Sequence, residues 1–391
     1  LLLRGAVKSA ETGPSGSLDD WETILEEAES GAEFAADPLA DLEEELDFLA
    51  TEPSDFLFSA SIAVGPGYSS NYLKRPEPVG SRFLQVEADV WLNWLGEASS
   101  ITALAFFEGQ AYGEKNGVSN EYLAFAQANW TFSRENHDFG LEAELFQGDQ
   151  VYDASLITAG APVGERLRQF RPETGLFVDW YFSRRDRLRG AVSVLRVEYD
   201  LEAEDYWEPM LTSEWERRWT ASIKTASRME LSRQLYDDKP GRTAWGGDQQ
   251  TEENLRVNRL GLEEQFRYEP GQWKWLRLHL NLGLAWEEDR TGEYESLRQS
   301  WASLGLRFVW DRTQFRASGR WMEIRYRDRQ LGLTDPTLQL QTQRNLKIEL
   351  KKKLPWNLAL SLRGEWTRFD SRLGTEAYSE RRSEALLGWS Y

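Results

Sequence analysis

From residue 56 onward, apolar side chains recur at every second position. Phe56, Phe58, Ala60, Ile62 and Val64 alternate with Ser59, Ser61 and Gly65. Leu84, Val86, Ala88, Val90, Leu92 and Trp94 alternate with Gln85, Glu87, Asp89 and Asn93, and the run from Leu276 to Trp286 is set against Arg277, His279, Asn281 and Gly283. A period of two is that of a strand with one face turned from water. Alternation over about ten positions exceeds the usual strand of a soluble sheet and suits the tilted strand of ~9–11 residues that crosses a bilayer. Sixteen such segments follow one another: 56–68, 81–95, 100–112, 120–133, 138–152, 167–183, 186–199, 206–216, 220–236, 251–268, 273–286, 295–310, 313–328, 338–353, 356–370 and 378–391. Short connections such as Gly96-Glu97, Arg184-Arg185 and Asp311-Arg312 alternate with longer ones such as 69–80, 153–166, 237–250 and 329–337. Turns at one rim and loops at the other describe an all-β fold, a transmembrane antiparallel β-barrel of about 16 strands over residues 56–391. An even strand count puts both ends of the barrel on the turn side, the periplasmic one.

Residues 1–55 follow a different rule. Ser17 to Asp20 reads as a capping box before Trp21, Ile24 and Leu25, and Asp37-Pro38 opens a second short helix with Leu39, Leu42, Leu46 and Leu49 on one stripe. Both stripes are too thin to build a core. The segment holds 16 acidic residues against two basic ones, so it carries −14 of the chain's formal −19. It is expected to be an acidic periplasmic arm, and the barrel itself is close to neutral.

Composition then narrows the chemistry. No run approaches the ~20 apolar residues of a membrane-crossing helix. Cysteine is absent and histidine is limited to His137 and His279, which leaves no thiolate metal site, no haem-attachment motif and no evident catalytic pair. No enzyme, no cofactor and no nucleic-acid partner is expected. The carboxylates from Glu198 to Glu208 lack the spacing of a calcium loop and read as a solvated loop meeting cations bridged by lipopolysaccharide. The chain holds 18 Trp and 14 Tyr, and many of them cluster at segment ends. Trp94, Trp130, Trp219, Trp273, Trp275, Trp310, Trp356 and Trp389 lie near turns, and Tyr68, Tyr112, Tyr152, Tyr199, Tyr236, Tyr326 and Tyr378 near loops, as two interfacial belts would require.

With the apolar faces on lipid, the opposite faces line a lumen. Segments two to six then contribute an acidic wall of Glu87, Asp89, Glu108, Glu142, Glu144 and Asp179, with no Lys or Arg at the inward parity. Segments eleven to fifteen contribute a basic wall of Arg277, Arg307, Arg316, Arg320, Lys347, Lys351 and Arg363, opposed by Glu349 and Glu365. Facing walls of opposite sign set a transverse field in a pore, whereas mutual pairing would fill the lumen. The eighth and ninth segments are anomalous, because Thr225, Ser227 and Arg233 share parity with Ile223, Met229 and Leu231. Either the register shifts there or that wall meets a protein neighbour. A basic turn rim, including Arg134, Arg184, Arg185, Arg187, Arg217, Arg218, Lys274, Arg312, Lys351, Lys352 and Lys353, offers the acidic arm a place to dock.

The chain ends Ala385, Leu387, Trp389, Tyr391 at alternate positions, with an aromatic last. This resembles the C-terminal signal of Gram-negative outer-membrane β-barrels of the porin-like class. Gly67-Tyr68-Ser69-Ser70-Asn71 is similar to the opening of barrels that follow periplasmic arms built of tetratricopeptide repeats. The resemblance implies an outer-membrane location in a diderm bacterium, recognition of Trp389 and Tyr391 by the barrel assembly machinery, and contact with membrane lipid and lipopolysaccharide. It implies a pore for small hydrophilic or charged solutes. The alternative is a scaffold or conduit, such as the sheath of a porin–cytochrome electron conduit or an exopolysaccharide export barrel. A homo-oligomer or a periplasmic or lumenal partner protein is compatible with either.

Overall fold

The computed structural model describes residues 56–391 except 114–119, 154–162, 201–203, 245–252, 271–274, 293, 333–334 and 373–376. The arm of residues 1–55, Trp273 and Lys274 lie outside the described residues. Sixteen strands form in chain order: β1 (Phe56–Ser69), β2 (Ser81–Leu95), β3 (Ser99–Tyr112), β4 (Asn120–Arg134), β5 (His137–Asp153), β6 (Val163–Tyr181), β7 (Asp186–Tyr199), β8 (Tyr206–Arg218), β9 (Ile223–Pro240), β10 (Asn254–Tyr268), β11 (Leu276–Asp289), β12 (Leu297–Trp310), β13 (Thr313–Gly332), β14 (Asp335–Lys353), β15 (Leu358–Ser371) and β16 (Tyr378–Ser390). Each pairs antiparallel with its neighbours, and β1 closes on β16 through rungs from Ser61↔Ser390 to Ser69↔Arg382. Closure leaves no unpaired edge, which is what a sheet in hydrocarbon requires. The fold is therefore a closed 16-strand antiparallel barrel, the architecture of outer-membrane barrels.

The alternation sorts as the sequence predicts. Phe58, Ile62 and Val64 on β1, Leu280 and Leu282 on β11, and Leu387 and Trp389 on β16 are exposed on the outside. Residues at the opposite parity, including Ser59 on β1, Gln85 on β2 and Asn281 on β11, are buried on the inside. Chain ends and short turns share one rim, where Ala60 and Tyr391 exchange backbone hydrogen bonds. The turn Asp311-Arg312 is a two-residue hairpin with Asp311 at φ 54°, and Trp356 and Asn357 both have positive φ (63° and 58°) in the turn after β14. The strand length varies on the other rim. β5, β6, β13 and β14 run to 17, 19, 20 and 19 residues, and segment 329–337, expected as a loop, is mostly a continuation of the β13–β14 hairpin.

The loop-side aromatic belt differs from expectation. Tyr68 and Trp207 face out, and Trp286 and Trp321 join them. Tyr112, Tyr326 and Tyr378 are buried inside, and Tyr199 and Tyr236 line a lumenal cavity. Parity gives the reason: Tyr112 stands two positions from Gln110, and Tyr378 two positions from Glu380, both inward residues.

Candidate functional site

The inward face of β1 is built of small groups: Ser59, Ser61, Ala63, Gly65 and Gly67. Long side chains from the strands on either side therefore meet across it. Arg363 on β15 donates to Glu87 on β2 and, at 2.9 Å, to Glu349 on β14, with Glu384 of β16 at 3.8 Å. Arg382 on β16 ion-pairs with Glu384 and, at 3.3 Å, with Glu108 on β3, and its guanidinium also donates to the Gln85 amide oxygen at 2.8 Å. The Gln85 amide nitrogen donates to Glu87 at 2.5 Å and to Glu108 at 3.3 Å, and the Ser61 hydroxyl donates to Asp89. This network straddles the closure seam and joins residues almost 300 apart in sequence.

A second network fills the wall from β5 to β9. Arg187 on β7 bonds Glu214 at 2.7 Å and Glu216 at 3.0 Å, with Asp179 at 3.9 Å, and Arg189 bonds Glu142 at 2.9 Å. Glu144 accepts from the Gln127 amide at 2.8 Å. On the other side, Arg277, Arg307 and Arg316 are directly opposed on β11, β12 and β13, and the same row continues through Glu349, Arg363 and Glu384. Arg320 stands opposite Ser303 and Asn345, Lys347 opposite Ser318 and Glu365, and Lys351 opposite Gln314 and Ser361.

All thirteen expected wall residues thus stand at inward positions, but the walls are not segregated as expected. Arg171 is a basic member of the expected acidic wall: it shares the parity of Asp179, is buried, and lies over the Phe146 ring at 5.7 Å. Arg187, expected at the rim, is an inward buried residue. Arg189 and Arg382 also lie inside and pair with members of the acidic wall. Their parity was readable; which carboxylate each one reaches was not, because that depends on the register and on the small face of β1. Within the carboxylate stretch from Glu198 to Glu208, the described Glu204, Asp205 and Glu208 are likewise partnered. Lys239 bonds Glu204 at 2.7 Å, Arg196 lies 3.4 Å from Asp205, and Glu208 accepts from the Ser232 hydroxyl at 2.5 Å. Among the described residues no group of three carboxylates or histidines is arranged to hold a metal. His137 packs against Phe139 at the turn rim and His279 points inward beside Gly305.

Cavities remain inside the barrel. One of about 750 Å3 runs from the turn rim, at Asp311, Lys353 and Trp356, up to Gln85, Glu108 and Arg382. Above it the mouth is narrowed by the loop between β1 and β2. Tyr72 stacks on Tyr112 at 4.6 Å, and with Leu73 it is buried against Phe83 and Val151. Asn71 holds that loop in shape, donating to the Arg75 carbonyl at 2.6 Å and accepting from the Arg75 and Val79 amides. Another cavity, about 180 Å3, lies on the far wall among Tyr199, Tyr236, Tyr326, Trp301, Arg259 and Glu263.

Three inward aromatics are pinned flat against the wall by glycines directly across the ladder: Phe83 over Gly67, Phe177 over Gly140 and Trp301 over Gly283. A ring opposite a glycine covers backbone that would otherwise lie bare. It also keeps the ring's bulk out of the lumen.

No protein-family model matches the chain, and no curated protein does. Solved structures similar to it include OmpT of Vibrio cholerae in its trimer form, at 8% identity and TM-score 0.47 over 86% of this chain and 99% of that one. Pseudomonas aeruginosa OpdK with vanillate matches at 9% identity and TM-score 0.44, covering 85% and 99%. Acinetobacter baumannii OccAB4 matches at 8% identity and TM-score 0.45, covering 85% and 98%.

Proposed function

We propose that this chain is an outer-membrane pore for small hydrophilic or charged solutes, lying with both barrel termini in the periplasm. The observation that supports it is the pairing of an apolar exterior with a charged lumen that holds an open cavity of about 750 Å3 at the turn rim. Water in that cavity is walled by low-dielectric protein and lipid, so the lumenal charges act on a solute at close range. The thirteen acidic and basic wall residues, with Arg171, Arg187, Arg189 and Arg382, are the proposed pore lining. Their partial pairing makes the passage narrow and selective. Trp389 and Tyr391, exposed at the turn rim, are the proposed assembly signal.

The burial of the inner face argues against a sheath around a partner. Gln85, Asn281, Gln339 and Gln341 are each 1% exposed although all lie inside the barrel. Side chains of the wall itself therefore cover these positions from any lumenal subunit. The test is reconstitution of the purified chain in planar bilayers: stepwise open-channel conductance supports the pore, and silence that lifts on removal of a co-purifying subunit supports the conduit.

A further inference from the structure

The outer wall of β8 to β10 carries polar groups where the other walls are apolar. Ladder pairing puts Thr225, Ser227 and Arg233 of β9 outward in register with Phe266, Glu264 and Asn258 of β10, so the polar face is real and no register shift explains it. The Ser227 hydroxyl donates to the Glu264 carboxylate at 2.5 Å, and Arg233 donates to the Asn258 side chain at 2.7 Å. Arg233 lies toward the loop rim, where a long cationic side chain reaches the headgroups. Glu264 has no such outlet. It stands four residues from Tyr268, roughly 10 Å of tilted strand into the apolar band, between Leu262 and Phe266 and opposite Leu282 of β11. Other outward charges stand near one rim or the other: Arg82, Arg298 and Arg368 toward the loops, and Arg134, Arg217 and Lys352 beside the turns. The Ser227 hydroxyl fills one acceptor position of that carboxylate, and an ionisable group facing lipid tails calls for further polar partners.

We propose that this face is the contact between two copies of this chain, related by a twofold axis along the membrane normal between β9 and β10. Such an axis preserves height and exchanges left with right. Ser227 of one copy then faces Glu264 of the other, and Arg233 faces Asn258, twice over. A donor on β9 and an acceptor on β10 at both heights make the surface complementary to itself, which an isologous contact requires. Ser213 on β8, opposite Gly190, keeps the flank of the contact small enough for close approach. Lipid or an unrelated protein offers no such reciprocity. The inference depends on the barrel lying in a bilayer and is independent of what passes through it.

The chain has no cysteine, which permits a clean test. Two differently tagged full-length chains, one carrying Ser227→Cys and the other Glu264→Cys, are co-expressed and oxidised in isolated outer membranes. The expected result is covalent heterodimer at least tenfold above a control pair carrying Val90→Cys and Leu387→Cys on the opposite wall. The native mass of the unaltered chain in lipid nanodiscs is expected to correspond to two copies. The double variant Ser227→Ala with Glu264→Leu is expected to lower the dimer fraction at least tenfold while keeping the heat-modifiable gel mobility of a folded barrel. Cross-linking at the control level, one copy per nanodisc, or a different protein seated on this face each overturns the proposal. Conductance, read separately, reports on the pore alone.

Discussion

Replacing Gly283 by alanine tests whether the flattened aromatics are a packing device of the wall. A Cβ at residue 283 would lie 1.9 Å from Cζ2 and 2.0 Å from Cε2 of Trp301, where ordinary contact is 3.4–4 Å. The indole must therefore retreat by roughly 1.5–2 Å. It cannot slide along the wall, because it is packed with Ala285, Met322, Ile324 and Tyr326. The remaining direction is into the cavity of about 180 Å3 that it lines. Overpacking of this kind costs about 1–3 kcal/mol, whereas a glycine-to-alanine change at an unobstructed strand position gains roughly 0.5–1 kcal/mol. The sign is therefore diagnostic. Gly261→Ala, whose new Cβ meets Glu230 Cβ at 3.6 Å, and Gly305→Ala, which meets His279 Cβ at 3.7 Å, are inward-facing controls. Equilibrium unfolding in denaturant, followed by gel mobility of the barrel in lipid vesicles, is expected to shift to lower denaturant for Gly283→Ala and not for the controls. Adding Trp301→Leu is expected to recover part of the loss by removing the obstructed ring. The reasoning fails if Gly283→Ala unfolds with the two controls, or if the double variant is less stable than the unaltered chain by the summed costs of the two single changes.

Other expectations follow from the lumen and the loops. Arg363→Met leaves Glu87 and Glu349 without their shared cation; a loss of about 3 kcal/mol in unfolding free energy is expected, with a rise in cation-over-anion selectivity measured from reversal potentials. Arg187→Met leaves the buried Glu214 without its cation, although Glu216 keeps Lys224 at 2.8 Å, and is expected to lower the unfolding midpoint more than Arg217→Met, whose partner Asp186 lies 3.7 Å away at the turn rim. Tyr72→Ala with Leu73→Ala removes two side chains that are each 2% exposed in the loop between β1 and β2, and is expected to raise single-channel conductance and expose the loop to protease. Deleting residues 1–55 is expected to raise conductance if the acidic arm enters the lumen; an unchanged conductance removes that role.

Most of the barrel was legible because its two faces are written at alternate positions. Leu276 to Trp286 could only be a strand with one greasy side, and the sixteen segments differ from the observed strands mainly at their loop-side ends. The loop-side ends were less legible because a strand that leaves the bilayer no longer needs an apolar face. Gln330 and Thr337 therefore give no sign that β13 and β14 continue through them. The tyrosines differ for another reason. Proximity to a loop does not decide which side a ring takes, and the parity of Tyr112 with Gln110 points inward. The ion-pair pattern lay beyond sequence reasoning. Glu87 and Arg363 meet only because β1 and β16 bring distant parts of the chain together and because Ser61, Ala63 and Gly65 leave room between them.

Every other pair of neighbouring strands in this barrel is joined by a turn or loop that fixes how far one may slide along the other; β1 and β16 have none. A slip of one residue at that junction would turn greasy groups inward and is forbidden on those grounds. A slip of two residues keeps every side chain on its proper face and would pass unnoticed by hydrophobicity. It would also carry Arg363 about 7 Å from Glu87, since two residues of strand span that distance. The charged clasp over β1 thus works as a vernier: apolar alternation rejects odd errors of closure, and the ions reject the even ones.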